Sequence, residues 1–366
     1  MLSSRVALWK VPHRLVRAVA YFRKRQYREI TTAEGAEIDK KQPLRAKLDQ
    51  ALLSLGRLDS LSSLHPDAHL LPYMFMRKEA VLSCQLDGTV STLTDLLLFE
   101  AGEAPASPIS DVVQVFSHVA AMEHGLAQVR QGHPVNDRLI REIEGILFAQ
   151  QNGVILSAAR DLHQLGEADQ HFPDLGILTP ACRTLSEVQD PNLESRPTGR
   201  LARLLTSLSL CSGGILSEPL LYLSKYLKEN QRTYDQFRDQ TGSGSWRERP
   251  QAFFTEGVLD SAHEARRLAQ NLSIVAAVDR ERVQVIGRGT NELAVLQYLK
   301  TRPVTSATQL ATNVQVSFAT AGKILGAFQE AGIMKLLGSR KRNRVFIYTN
   351  WLGALDAEGE HITRNM

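Results

Sequence analysis

Apolar residues recur at helical spacing along nearly the whole chain and alternate at strand spacing only near its C-terminal end. That single change of period restricts the fold to a mostly α protein with a small β element at the end. Leu44, Leu48, Leu52, Leu53 and Leu55 form a stripe at spacings near three and four. Pro72 opens a second helix through Met76, Ala80 and Val81. Gly88 closes it, because glycine accepts a left-handed backbone without a Cβ clash. Ser91 is placed to cap a third helix over 92–99, and a loop follows from Ala101 to Pro105. Two more helices fill 109–150, parted by Gly132-His133-Pro134. Between 152 and 197, Gly, Pro, Asp, Asn and Ser come at short intervals, which predicts loops and short helices. Helical spacing resumes over 199–211, breaks at Gly213-Gly214, and runs again from Pro219 through Tyr226 to Ala276.

Beyond residue 290 the pattern is compact. Thr290 to Lys300 is amphipathic through Leu293, Val295, Leu296 and Leu299, and Arg302-Pro303-Val304 is an extended link. A second helix covers Ser306 to Thr312, with a tight turn over 313–316. Ser317 caps a third helix, whose core face is read as Phe318, Ala321, Ile324, Leu325 and Phe328. Ile333 to Leu337 and Val345 to Tyr348 alternate as a strand pair around a tip rich in cations: Arg340, Lys341, Arg342 and Arg344. Three helices followed by a hairpin resemble a winged helix-turn-helix, expected over 285–356. Ser317, Thr320 and Lys323 then lie on the outward face of the third helix, and with the four tip cations they are the candidate DNA contacts. Use of the same fold for protein contact alone is the other reading.

A formal charge of +4 is too small to identify a partner by itself. Cys84, Cys182 and Cys211 are few, odd in number and far apart, which argues against a disulfide scaffold or zinc knot. They read as small buried hydrophobes of a cytoplasmic protein. No stretch approaches the roughly 18 apolar residues of a membrane span. Residues 1–30 carry no acid before Glu29, and Arg17 cuts their apolar runs, so they lack a signal-peptide core. Residues 1–40 are read as a basic, poorly ordered extension, with a basic helix on a membrane or nucleic acid as the alternative.

Several segments in order resemble the Fic (Fido-domain) family in its form with an N-terminal inhibitory helix and a C-terminal winged helix. They are 82–101, which holds Ser83, Asp87 and Gly88; 119–126 with 139–143; and 199–224, which holds Gly199, Arg200, Arg203, Gly214 and Pro219. The resemblance covers roughly 45 to 350. It implies a helical region over 41–105 with the inhibitory motif and an all-helical Fic core over 106–280. In the family's inhibitory motif three residues separate a Ser or Thr from Glu-Gly, and the Glu pairs with the second arginine of the active-site motif. Here Ser83 precedes Asp87-Gly88, and the arginine is Arg203.

The family motif, His-Pro-Phe-x-Asp-Gly-Asn-Gly-Arg-x-x-Arg, serves AMP transfer from ATP, with Mg²⁺, to a Ser, Thr or Tyr hydroxyl of a target protein. Anchored on Gly199, Arg200 and Arg203, this chain has Asn192 in place of the histidine. An amide cannot act as general base, and losing one costs about 10²- to 10⁴-fold. Arg196 replaces the acid that holds Mg²⁺, Thr198 replaces the asparagine, and Pro197 removes a backbone N–H from the phosphate loop. No metal ligands are assigned. Arg196, Thr198, Gly199, Arg200 and Arg203 remain as candidate nucleotide contacts at a helix start. His163 and His171 are read as surface histidines rather than a substitute base. Three functions stay open: a self-inhibited adenylyltransferase with impaired catalysis, an inactive Fic-like DNA-binding regulator, and a copy with no surviving activity. A target protein, DNA and a second copy of the chain are the partners considered.

Overall fold

The structure is a computed structural model that describes residues 44–64, 70–149, 178, 181, 198–239, 248–286, 289–338 and 344–355. The chain divides into two units, Met1–Ala46 and Lys47–Met366, and only three residues of the first are described. The expected basic extension, most of the 152–197 stretch, Cys182, His163 and His171 lie outside the described residues.

The helices are α1 (Leu44–Leu64), α2 (Leu71–Leu86), α3 (Leu93–Glu100), α4 (Ile109–Arg130), α5 (Asp137–Leu147), α6 (Thr198–Ser212), α7 (Leu223–Glu229), α8 (Gln231–Asp239) and α9 (Glu248–Ile286). They are followed by α10 (Thr290–Thr301), β1 (Val304–Ser306), α11 (Ala307–Val314), α12 (Phe318–Glu330), β2 (Met334–Leu337), β3 (Val345–Tyr348) and α13 (Thr349–Leu355). The fold is mostly helical with a small antiparallel sheet, as the change of period predicts. Among the described residues no helix is long and apolar enough to cross a membrane.

One core joins four helices. Met76 of α2, Ala121, Met122 and Leu126 of α4, Leu139, Ile140, Ile143 and Leu147 of α5, and Leu201, Leu204, Leu205 and Leu208 of α6 pack together. Gly125 lets α4 approach α6: a Cβ there would lie 2.5 Å from Leu208 Cδ1 and 3.1 Å from Ile143 Cδ1. In α1 the buried stripe is Leu48, Ala51, Leu55 and Leu58, whereas Leu53 is exposed. Thr92, not Ser91, caps α3: its side chain accepts from the Asp95 N–H, and the Asp95 carboxylate accepts from the Thr92 N–H at 3.0 Å. The helical spacing read from Pro219 to Ala276 is carried by α7, α8 and most of the 39-residue α9.

The C-terminal sheet is antiparallel in the order β1-β3-β2, with Val304 opposite Ile347 and Leu336 opposite Phe346. The link read at Val304 is therefore the start of an edge strand. Ser306 ends that strand and caps α11 through a reciprocal pair with Gln309. The helix then extends to Val314, past the predicted turn at Asn313, and Gln315 makes the break with φ 57°. Ala321, Ile324, Leu325 and Phe328 form the core face of α12, but Phe318 is 65% exposed. The reading of Phe318 as core is thus corrected: it is the first residue after the Ser317 cap, where the helix has not yet reached the bundle.

Candidate functional site: a buried arginine pair held by Asp87

Asp87 is the C-cap of α2, and its N–H reaches the carbonyls of Cys84 and Gln85. Gly88, at φ +94°, turns the chain away, which leaves the Asp87 carboxylate at the helix end. It faces the first turn of α6. Oδ2 lies 3.0 Å from Arg203 Nη2 and 3.1 Å from Arg200 Nε. Both arginine side chains are almost wholly buried, at 2% and 3% exposed, and the aspartate is 22% exposed. One carboxylate therefore serves two buried cations.

Arg203 is fully engaged. Nε donates to Ser83 Oγ at 2.7 Å, Nη2 to the Ser83 carbonyl at 2.8 Å and to Asp87, and Nη1 to Tyr234 Oη at 3.4 Å. Burial works to lower its pKa, yet Tyr234 and Asp87 hold it above the ordinary arginine value. Arg200 is different. It sits within ion-pair distance of Asp87, with its guanidinium carbon 5.6 Å from the centre of the Phe148 ring. Its Nε and Nη1 are buried and make no hydrogen bond among the described residues. Gly199 is needed here for space: a Cβ would stand 2.8 Å from Arg203 Nη1 and 3.6 Å from Asp87 Oδ1.

Behind the arginines lie two buried titratable groups. Glu79 accepts from the Ser224 N–H at 3.0 Å and from Ser224 Oγ at 2.5 Å, and burial pushes its pKa up to about 7. His118 is held down to about 3, first by burial and then by the charges of Arg203 and Arg200. Its Nδ1 has no hydrogen-bond partner among the described residues. Glu79 and His118 share the wall of a small cavity with Ser207. Cys84 is also buried beside the arginines, and burial raises its thiol to about 11. Cys211 is half-buried, and burial raises it to about 12, so both described cysteines are the inert packing residues expected.

Ser83, Asp87, Gly199, Arg200 and Arg203 are thus brought together, and Thr198 is the first residue of α6. Asn192 and Arg196 lie outside the described residues. Tyr234, Glu79 and His118 were not predicted. They come from α8, α2 and α4, and nothing in their own neighbourhood marks them as partners of α6. Among the described residues no group of three His, Cys, Asp or Glu side chains could hold a metal ion.

At the C-terminal end, Ser317 Oγ accepts from the Thr320 N–H at 3.0 Å and shares a 2.8 Å hydrogen bond with Thr320 Oγ1. These hydroxyls cap α12 while remaining at the surface, and Lys323 is exposed one turn on. Arg344 lies over the Phe346 ring at 5.6 Å, whereas Arg340, Lys341 and Arg342 lie outside the described residues.

Residues 45–127 match the model of the Fic/DOC family N-terminal region. The chain is also similar to the crystal structure of a Fic family protein from Desulfovibrio desulfuricans G20, at 14% identity and a TM-score of 0.45, over 84% of this chain and 96% of that one. No curated protein matches it.

Proposed function

We propose, from the premise that the match of residues 45–127 to the Fic/DOC family N-terminal region marks a Fic-family protein, that Arg200 and Arg203 form an adenine-nucleotide phosphate site that Asp87 holds closed. The observation that carries the reading is one partly exposed acid shared by two buried guanidinium groups, one of which, Arg200, has Nε only within ion-pair distance of that acid and Nη1 without a hydrogen bond among the described residues. Unpaired buried donors are costly, and a phosphate at a helix start would satisfy them. Asp87 is the removable member, since Arg203 is also held by Ser83 and Tyr234.

The donor set suits phosphate better than metal. Two guanidinium groups are available to ATP, but the described residues gather no acidic cluster for Mg²⁺, and Arg196 occupies the family's metal-binding position. Transfer of AMP to a target hydroxyl would also need a base where Asn192 stands. Nucleotide binding with impaired transfer is therefore the proposed state of this copy. Calorimetric titration with ATP tests it. The Asp87→Gly variant should bind at least about tenfold more tightly, a gain of roughly 1.4 kcal/mol. Asn192→His in that background should raise modification by labelled ATP more than Asp87→Gly alone does. Equal ATP affinity in the parent and Asp87→Gly proteins would refute the closed site.

A second reading, DNA binding by the C-terminal module, is favoured by its element order and charge. Helix, strand, two helices and a strand pair follow in succession, and residues 302–348 hold seven basic residues and one acid. Retention on duplex DNA should weaken as salt rises, and charge reversal at Arg340, Lys341 and Arg342 should reduce it. Indifference to both would remove this reading.

A further inference from the structure

We infer that Phe318 reads a thymine methyl group in the major groove. The inference rests on the DNA-binding reading of the C-terminal module and names the chemistry by which that module would select sequence. Phe318 is the first residue of α12 and is 65% exposed, so a full aromatic ring stands in solvent on the first turn. Ala319 beside it is exposed, and Gly322 is half-exposed one turn further on. No internal packing requires that glycine, or Gly326 after it, to be small, since a Cβ at either would meet nothing within 4 Å. The outer part of α12 is thus low along its glycines and headed by one large apolar group, with Lys323 exposed beside it, a shape that lets a helix lie close against a groove.

Hydrogen-bond readout from this face is limited. Ser317 Oγ is committed to capping and to Thr320 Oγ1, and no Arg, Asn or Gln occupies the first two turns of α12. The exposed Lys323 suits guanine, but the bidentate readout of adenine by Asn or Gln is unavailable there, and the large apolar group of the first turn is suited to apolar contact, for which the thymine C5-methyl is the major-groove target. Charge complementarity commits the occupant to a polyanion: residues 302–348, the stretch of sequence that holds this apolar residue, carry seven basic residues and one acid.

The test uses the full chain and duplexes selected from a random-sequence pool. The parent protein should enrich a thymine at a fixed position, and replacing that thymine by deoxyuridine, which lacks only the methyl, should weaken binding about fourfold. Phe318→Ala should lose the thymine preference and the deoxyuridine effect, yet keep salt-dependent retention on DNA. Phe318→Leu should retain part of the preference. An unchanged far-ultraviolet circular dichroism spectrum for both variants verifies folding, as expected for an exposed position. A Phe318→Ala protein that still discriminates thymine from deoxyuridine overturns the inference and leaves DNA binding standing. Absence of salt-dependent retention by the parent removes the DNA reading itself. Self-association of the parent in sedimentation that Phe318→Ala abolishes would instead assign the ring to a protein contact and likewise overturn the inference.

Discussion

At the scale of single residues, the unusual feature is how few acids accompany the buried cations. Asp87 pairs with both arginines between α2 and α6, while Glu79 stands farther back and accepts from Ser224. Glu79 and His118 give the protein a pH response with a definite shape. Between about 4.5 and 6.5 the folded chain keeps a proton on Glu79 and none on His118, and the unfolded chain does the reverse. Proton counts then match, and the two contributions to the pH dependence of stability cancel. Below 4.5 only the histidine contributes, and stability falls toward pH 3. From 6.5 to 7 only the glutamate contributes, and stability falls as pH rises. Glu79→Gln removes one side of the balance. Relative to the parent, its stability should climb with pH from 4.5 to 6.5, by up to about 1.4 kcal/mol per pH unit. Urea unfolding across that window measures it, and parallel profiles for the two proteins would refute the assignment. None of this was legible in the sequence, because Glu79 and His118 acquire their environments from helices remote along the chain.

Elements show where local chemistry suffices. Ser83 and Asp87 are four residues apart at the end of α2, so one helical turn aligns them; both reach Arg203, which for Asp87 is the pairing that the Fic resemblance implies. The Ser317 cap and the strand pair are equally local. Phe318 fails the same logic because helical spacing tells which residues share a face, not how much of the helix lies against the core. The approach of α4 to α6 depends on Gly125, which sequence alone leaves as an ordinary helical glycine. Gly125→Ala should cost about 1–3 kcal/mol, since the added methyl meets the fully buried Leu208 and Ile143. A thermal midpoint equal to the parent's would mean that the helices separate freely at this crossing.

Across the whole molecule, the C-terminal module is tied to the helical bundle by buried polar groups rather than by apolar surface alone. Asp279 of α9, 1% exposed, accepts from Tyr348 Oη at 2.8 Å and from Asn350 Nδ2 at 3.3 Å, and pairs with Arg282 at 3.0 Å. Glu100 of α3 pairs with the buried Arg77 and accepts from Tyr73 Oη at 2.9 Å, while Arg302 reaches it at 3.6 Å. Lys78 donates to the Leu355 carbonyl, and Gln309 to that of Ala101. Asp279→Ala should destabilise the junction by about 3 kcal/mol, because it removes the buried carboxylate to which Tyr348 Oη and Asn350 Nδ2 donate. Hydrogen exchange should then speed up at the β3 amides before it does in α4 to α6. Uniform exchange throughout the protein would show that Asp279 contributes no special attachment.

The period of apolar residues, the caps and the turn glycines were enough to determine the mostly helical class, the terminal hairpin and the Ser83-Asp87 alignment, because these depend on contacts within a few residues. Tertiary structure alone decided that Asp87 meets two arginines instead of one, that Tyr234 completes the shell of Arg203, and that Phe318 faces solvent. Those outcomes depend on which surfaces of distant helices come within a few ångströms, and the spacing of residues along one strand of sequence holds no record of that distance.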